Sequence, residues 1–377
     1  MIQKEIDLYL DYNATAPYSP KVIDFLENKA SSFWQNASSE YALSRPLDDD
    51  ISAIRRDIAA FLDCSPKEIL FTSGATESTN LVLSRENLES LGVETIITSR
   101  LEHHATLDKC KFLESLGLNV LYVENSDDGI YDLNHLEKLL DENKKSLVSL
   151  LYVNNETGVI NDAVKISELV KTHGGFLHLD AVQALGKVEH SLFDIDPHFV
   201  SYSGHKVGSL KGVGILFVSS QIKFCSPLKG GGQELGLRPG TYNYLGIKSL
   251  GLAISDINLS RLTELQELRA EFEKSLVSLS SLISINGNHA PRVFNTINVY
   301  LGMNDSREVL LYLSSKDIQV STGSACTSGS VEPSHVIQAM GKSREYAQKC
   351  LRISYSREIS QNDFKYFIEE LKTALSL

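Results

Sequence analysis

Short apolar runs recur over roughly the first 220 residues, and amphipathic stretches separate several of them. The apolar runs lie at 69–71, 95–98, 120–123, 147–153, 176–179, 198–202 and 213–218, and the amphipathic stretches include 20–30, 49–62, 107–116, 133–140 and 164–173. Strands that alternate with helices form a mostly parallel sheet with right-handed crossovers. The sequence therefore predicts an α/β chain with a central parallel sheet.

The pattern changes after Thr241. A long helical pattern at 263–279 is followed by strand-like segments at 296–300 and 318–321 and by helical patterns at 334–340 and 361–374. This order predicts a second, smaller α+β domain, with a boundary near residue 255.

Charge and hydropathy exclude several classes of protein. The chain carries 36 Lys and Arg against 48 Asp and Glu, a net charge of −12, which argues against a broad nucleic-acid-binding surface. Its longest apolar runs, such as 215–218, are far shorter than the ~18 residues of a membrane span. No apolar segment follows the first residues, so we expect no secretory signal. The sequence predicts a cytoplasmic protein with neither membrane nor nucleic acid as a direct partner.

The cysteine pattern argues against both disulfides and metal. The five cysteines are Cys64, Cys110, Cys225, Cys326 and Cys350. Their number is odd and no CxxC pair occurs, so neither a disulfide framework nor a zinc site is expected. Four of them are interpreted as small buried apolar residues. Cys326 differs, because it lies in STGSACTSGS (residues 321–330), a run of almost exclusively small or polar residues.

The first candidate ligand site follows the apolar run 69–71. Gly74 permits a tight turn, and the helix that begins after it presents free N–H groups next to the hydroxyl of Thr76. Such an arrangement forms a cup for phosphate. An ordinary helix cap is the alternative interpretation.

Polar side chains also follow three other predicted strands. Asp180 comes directly after 176–179 and could be a helix cap, a metal ligand or the partner of a cationic ring nitrogen. Lys206 follows 198–202, where burial would lower the pKa of its amine and make it a nucleophile for carbonyls, unless it is a solvated loop residue. His103 follows 95–98 and offers a flat ring for stacking. Ring partner, amine and phosphate cup are the attachments that pyridoxal 5′-phosphate requires.

The order of motifs points to one family. The chain contains LDYNATAP (10–17), FTSGATES (71–78), LEHHATLD (101–108), VNNETG (153–158), HLDAVQALGK (178–187), SYSGHK (201–206) and GSACTSGS (323–330). It resembles the cysteine desulfurases of the class V aminotransferase family, in particular the group with a long mobile cysteine loop. The resemblance implies a PLP-dependent transferase of fold type I. Its large cofactor-binding domain would span 15–255, and its small domain would comprise 1–14 and 256–377 and carry the cysteine loop (321–330).

The resemblance also implies roles for the cofactor-binding residues. Lys206 would hold the cofactor covalently and move protons, Asp180 would pair with the ring nitrogen, and His103 would stack on the ring and act as an acid and base. Gln183 would hydrogen-bond the phenolic oxygen. The phosphate would be bound by Ala75, Thr76, Ser203 and His205, and by Thr241 from a neighbouring subunit, so a homodimer is expected.

For the substrate, the resemblance implies L-cysteine. Asn155 and Arg352 would position it, since the planar fork of an arginine suits an α-carboxylate. Cys326 would attack the substrate sulfur, so that a persulfide forms on Cys326 and L-alanine leaves. The sulfur would then pass to an acceptor protein, either an iron–sulfur scaffold in cluster biogenesis or a thiolation protein. The composition of the loop agrees with mobility, because small residues bury too little apolar surface to offset the entropy of ordering.

Two other functions remain open from the sequence. One is a PLP-dependent lyase that acts on selenocysteine, cystine or another β-substituted amino acid, with Cys326 less central. The other is a degenerate homologue that serves in binding or assembly, which the intact Lys206, Asp180 and His103 disfavour.

The sequence departs from the family pattern at Ala37, Tyr41, Ser209, Leu210 and Pro239, which affects the expected substrate entry and subunit contacts. The short C-terminal segment weakens the expectation of a scaffold partner.

Replacement of the loop thiol separates the desulfurase from the lyase. We expect Cys326→Ser to keep the yellow colour of the bound cofactor and to lose sulfide release from L-cysteine, because the hydroxyl cannot accept the sulfur. Absorption spectroscopy and a sulfide assay measure the two properties. Sulfide release at the parent rate would favour the lyase.

Overall fold

The computed structural model describes residues 8–322 and 332–376. Cys326 and most of the predicted cysteine loop lie outside the described residues, as do the first seven residues of the predicted small domain.

The strands of the described part follow the apolar runs of the sequence closely. They are β1 (Leu8–Tyr9), β2 (Ile69–Thr72), β3 (Thr95–Ser99), β4 (Asn119–Val123), β5 (Ser146–Leu151), β6 (Phe176–Asp180), β7 (Phe199–Ser203), β8 (Gly214–Val218), β9 (Ser284–Ile285), β10 (Thr296–Tyr300), β11 (Ile318–Gln319) and β12 (Cys350–Ser354). The predicted strand at 147–153 is longer than β5 at its C-terminal end. Val153 lies outside β5 and pairs with Ile160 in an isolated bridge.

The predicted amphipathic stretches all form helices in the described part, and further helices occur between them. The helices are α1 (Pro20–Asn28), α2 (Arg45–Leu62), α3 (Ala75–Val82), α4 (Arg85–Leu91), α5 (His104–Ser115), α6 (Leu133–Glu142), α7 (Ala163–Thr172), α8 (Leu192–Ile195), α9 (Tyr244–Ser255), α10 (Leu262–Val277), α11 (Ser306–Ser315), α12 (His335–Ala339), α13 (Arg344–Ala347) and α14 (Gln361–Ala374). None of them is long and apolar enough to cross a membrane.

Seven strands form the central sheet, in the order β2-β8-β7-β6-β5-β3-β4. Strand β8 runs antiparallel to both of its neighbours, β2 and β7, and the other pairings are parallel. The predicted mostly parallel sheet is confirmed. Because β8 is antiparallel to both β2 and β7, β2 runs in the same direction as β3 to β7. The carboxyl ends of these strands therefore lie at one edge of the sheet.

The sheet is buried on both faces, which explains its continuous apolar runs. Successive residues of a strand point to opposite faces, so Ile96 and Leu147 pack in one hydrophobic cluster while Ile97 and Val148 pack in another. The sheet is therefore a rigid platform, and polar residues within it, such as His178, are hydrogen-bonded to neighbouring strands.

A third hydrophobic cluster forms around the C-terminal part of the chain. Strand β10 pairs antiparallel with β9 and β12, and helices α10, α11 and α14 contribute apolar side chains against them. Phe272 of α10 stacks on Phe364 of α14, with ring centroids 3.9 Å apart. The N-terminal segment joins this cluster through Leu8 and Leu10, and β1 pairs parallel with β11.

Two of the four described cysteines differ from the expected burial. Cys110 and Cys350 are buried as predicted, whereas Cys64 and Cys225 are half-buried. Both lie at the ends of elements, Cys64 just after α2 and Cys225 in the segment after β8, where the chain reaches the surface.

Candidate active site

A cavity of about 590 Å³ lies at the carboxyl edge of the central sheet. Its walls include ten of the residues singled out in the sequence: Ala75, Thr76, His103, Asn155, Asp180, Gln183, Ser203, His205, Lys206 and Arg352. Thr241 is exposed and does not belong to this lining. The topology therefore brings together side chains that are more than 250 positions apart, from Ala75 to Arg352.

Asp180 ends strand β6, between β5 and β7. Its side chain is buried, and its Oδ1 accepts a hydrogen bond from the backbone N–H of Val182 at 3.1 Å. Burial raises the pKa of this carboxyl from 3.8 to about 6, against the opposing effects of that hydrogen bond and of Lys206. A buried carboxylate of this kind is favoured when a cation comes to lie against it.

Lys206 lies on a single helical turn, Gly204–Lys206, directly after β7. Its Nζ donates hydrogen bonds to the backbone oxygens of Asn13 at 2.5 Å and Ala14 at 2.7 Å. The amine is thus held inside the cavity by the N-terminal segment, just beyond the end of β7, the strand next to the one that ends in Asp180.

The predicted phosphate cup lies where β2 meets α3. Gly74 has φ of +151°, a conformation that L side chains rarely adopt, and a Cβ there would lie 3.6 Å from the predicted phosphate ligand Ser203. The N–H groups of the first turn of α3, at Ala75 and Thr76, have no intrahelical acceptor. These N–H groups and Ser203 line the same cavity, as a phosphate cup requires.

Glu77 also lines the cup, which the sequence alone did not single out. Its carboxylate accepts hydrogen bonds from Ser73 N at 2.8 Å and from Arg238, whose Nε lies 2.8 Å from Oε1. Burial raises the pKa of Glu77, but the hydrogen bonds from Arg238 and Ser73 outweigh it and lower the pKa. Arg238 therefore compensates the negative charge next to the anion site.

His103 is the N-cap of α5, and its Nδ1 accepts the backbone N–H of Ala105 at 3.1 Å. Burial lowers the pKa of His103 to about 4, with further contributions from Lys206 and neighbouring histidines. The ring is therefore neutral near pH 7. Because its Nδ1 lone pair is engaged, its proton lies on Nε2.

Arg352 and Asn155 offer unused hydrogen-bonding groups to a ligand. Arg352 donates from Nη2 to Asp11 Oδ1 at 2.7 Å, whereas its buried Nε has no partner among the described residues. Asn155 Oδ1 is likewise buried without a partner there. Both residues line the cavity, and these two buried polar atoms are left without a protein partner among the described residues.

Two further residues complete the site but were not singled out from the sequence. Asn13 lines the cavity and contacts both Lys206 and Gln183. Lys187 is buried and donates to Gln183 Oε1. Both lie within the motifs LDYNATAP and HLDAVQALGK. For Lys187, the sequence feature that could have indicated a contact with Gln183 is their spacing of four positions, about one helical turn.

These groups fit pyridoxal phosphate on chemical grounds. A buried carboxylate for the ring nitrogen, an amine for the aldehyde and a glycine-opened anion cup line the same cavity. In the described part of the chain, no group of three His, Cys, Asp or Glu side chains could hold a metal ion.

Comparisons with known proteins agree with this assignment. The family model described as aminotransferase class-V matches residues 8–367. The chain is 35% identical over 381 residues to the cysteine desulfurase IscS of Pseudomonas putida (strain W619), an alignment that covers 99% of this chain and 93% of that protein.

Solved structures show the same fold. The NifS-like protein of Rickettsia africae is 30% identical, with a TM-score of 0.88 and coverage of 98% of this chain and 99% of that one. A structure described as SspA in complex with cysteine is 32% identical, with a TM-score of 0.81 and coverage of 92% of this chain and 98% of that one.

The burial of the Asp180 carboxyl should destabilise the cofactor-free protein although the same carboxyl favours cofactor binding. Its pKa is higher in the folded than in the unfolded chain, so the cofactor-free protein loses stability as the pH rises from about 4 to about 6. Asp180→Asn lacks this titration. We expect it to stabilise the cofactor-free protein above pH 6 by on the order of 2–3 kcal/mol, and to weaken cofactor binding.

Denaturant unfolding of the cofactor-free parent and variant at pH 4.5 and pH 7.5 measures this difference. The advantage of the variant should grow between the two pH values. An equal difference at both values would contradict the proposed burial cost.

Proposed function

The chain belongs to the class-V aminotransferase family, and we propose that its reaction is that of a cysteine desulfurase. It takes the sulfur of L-cysteine onto Cys326 as a persulfide and releases L-alanine. The observation that carries the proposal is the single cavity that combines Asp180, Lys206 and the unused donor of Arg352. A cofactor site next to a carboxylate-binding arginine is what an amino-acid substrate requires.

Pyridoxal phosphate, when bound here, supplies the electron-withdrawing ring that makes the Cα–H and Cβ–S bonds of the substrate labile. Asp180 keeps a proton on the ring nitrogen. The cost of burying its carboxylate makes that cation a stabilising partner, so with the cofactor bound Asp180 is ionised near pH 7 against the protonated ring nitrogen.

Lys206 and His103 move or hold protons. Lys206 lies close enough to His103 to lower the pKa of the imidazole, so the two groups belong to one proton-transfer environment. Lys206 takes and returns the proton at the substrate Cα. His103 donates a hydrogen bond from Nε2, and a second proton on its ring requires Nδ1 to release the N–H of Ala105.

Arg352 binds the substrate α-carboxylate. Asp11 fixes one Nη of its guanidinium, so that the plane of the fork is set before a substrate enters. Asn155 positions the same substrate from the loop after β5 through its free Oδ1, an acceptor suited to an ammonium or amine group.

The acceptor thiol is assigned to Cys326 because three other cysteines are unsuited to the task. Burial raises the pKa of Cys64, Cys110 and Cys350 to about 12, so none of these three forms a thiolate near pH 7. Cys326 follows Ser321, whose backbone pairs with that of the proposed substrate ligand Arg352. The proposed thiol thus lies five positions along the chain from a residue anchored at the cavity wall.

The domain division proposed from the sequence has support in the packing. The large unit of 15–255 contains the central sheet, and the small unit combines 1–14 with 256–377. Leu8 and Leu10 pack in the same hydrophobic cluster as residues from Leu265 to Leu375, which supports their assignment to the small unit.

A homodimer and a sulfur-accepting protein belong to the same proposal. Thr241 is exposed and lies outside the lining of its own cavity, as expected of a residue that serves the site of a neighbouring subunit. We propose that the acceptor is an iron–sulfur scaffold or a thiolation protein and that the enzyme acts in the cytoplasm, in keeping with its acidic composition.

The amine of Lys206 provides the test of this function. The parent protein, loaded with cofactor, should convert L-cysteine into equal amounts of alanine and transferable sulfur. Lys206→Ala should abolish alanine formation, because the variant lacks the amine that is proposed to take the proton at Cα. Amino-acid chromatography of the reaction mixture measures the product.

Lys171→Ala is the matched control, since Lys171 pairs with Asp196 in the segment after α8 and does not line the cavity. It should retain the parent activity. Normal turnover by Lys206→Ala, or a parent protein that makes no alanine from L-cysteine, would overturn the proposed function.

A further inference from the structure

Lys187 is a buried lysine whose partners are neutral. Its side chain donates hydrogen bonds to Asn13 Oδ1 at 2.9 Å and to Gln183 Oε1. Among the described residues, no carboxylate lies within 4.0 Å of its Nζ, although the residue is only 8% exposed. A buried amine without an acidic partner is costly, so its retention at this position calls for a specific role.

The contacts of Gln183 fix the orientation of its amide. The backbone oxygen of Asn13 can only accept a hydrogen bond, and it lies 3.2 Å from Gln183 Nε2. Lys187 contacts the other end of the amide, Oε1, and donates an N–H to it. The Asn13 oxygen requires this orientation, with the NH₂ group away from Lys187, and the N–H donor of Lys187 reinforces it.

Asn13 is oriented in the same way. Its Nδ2 donates to Asn155 O at 3.1 Å and to Thr296 Oγ1 at 2.9 Å, which leaves Oδ1 for Lys187. Its backbone oxygen accepts from both Gln183 and Lys206. Lys187 thus holds two amides whose other ends contact the cavity residues.

The protonation state of Lys187 is compatible with this role. Burial lowers its pKa well below the usual value of 10.5, and Lys206, Arg352 and Arg357 lower it further. A neutral amine still has two N–H groups, one for each of its two acceptors. Lys187 can therefore orient both amides without placing an unpaired charge in the interior.

We propose that Lys187 is a positioning residue for pyridoxal phosphate: by holding Gln183 Oε1, it ensures that an N–H group of Gln183, and not its carbonyl oxygen, faces the phenolic oxygen of the cofactor. An amide nitrogen carries two N–H groups, and Asn13 engages one of them, so one remains for the cofactor. The inference rests on the proposed role of Gln183 and does not depend on which β-substituted amino acid is the substrate.

The test uses the full-length protein with Lys187→Met, which replaces the side chain by an unbranched apolar one that is one atom shorter and removes its donors. Without them the amide of Gln183 loses one of the two contacts that fix its orientation, and only the Asn13 backbone oxygen still opposes a turn of its carbonyl oxygen toward the phenolate. We expect about a tenfold weaker affinity for pyridoxal phosphate, the equivalent of one hydrogen bond. We also expect the visible absorption band to lose intensity to the shorter-wavelength band of the form whose phenolic oxygen is protonated. Equilibrium dialysis and absorption spectra measure both effects.

A double-mutant cycle with Gln183→Ala separates positioning from general stabilisation. If Lys187 acts through Gln183, adding Lys187→Met to Gln183→Ala should change neither affinity nor the band ratio further. A pyridoxal phosphate analogue without the 3-hydroxyl group should bind parent and Lys187→Met equally well. Additive effects in the cycle, or equal losses for both cofactors, would overturn the proposal.

Two variants guard against misinterpretation. Lys171→Met, the loss of a lysine remote from the cavity, should leave affinity and spectrum unchanged. Lys187→Gln retains a donor for Gln183 and should keep the parent spectrum. If Lys187→Met does not fold, the spectrum of Lys187→Gln tests the positioning role instead. A folded Lys187→Gln with the altered spectrum would refute the positioning role, whereas a parent protein that binds no pyridoxal phosphate would refute the cofactor assignment itself.

Discussion

The burial of ionisable groups at one edge of a rigid sheet is the constraint on which this site depends. Asp180 and Lys187 are both buried. Burial raises the pKa of Asp180 and lowers that of Lys187, so it favours the neutral form of each. Each group therefore needs a partner in a fixed position: a ring cation for the carboxylate and two amide oxygens for the amine. The central sheet provides this fixed geometry, because its hydrophobic clusters lock β6, which ends in Asp180 and leads into the turn that carries Lys187.

Asn13 connects the two main parts of the molecule at this point. Its side chain contacts Thr296 of β10 and Lys187 near the central sheet, while its backbone holds Gln183 and Lys206. The N-terminal segment thus acts as a strap across the cavity. Rearrangement of the C-terminal cluster against the sheet would disturb this set of hydrogen bonds, so the geometry of the site and the packing of the two parts are coupled.

Much of the fold could be predicted from sequence because the strands are apolar on both faces and the helices are amphipathic. The reversed direction of β8 could not, since direction leaves no mark on an apolar run. Asp180 and Lys206 could be identified because they follow strands. The role of Lys187 could not, because its partner Asn13 lies far away in the chain, and a buried amine resembles a surface lysine in sequence. The pairing of Glu77 with Arg238 was hidden for the same reason.

The chemistry converges on the transfer of one sulfur atom to one thiol. The most direct test is to incubate the cofactor-loaded protein with L-cysteine and to determine by mass spectrometry which cysteine gains mass. The expected result is an added sulfur atom on Cys326, removable by a reducing thiol, together with one alanine per modified chain. Alanine formation with unmodified Cys326, or added sulfur on Cys64, Cys110, Cys225 or Cys350 instead, would contradict the proposed mechanism.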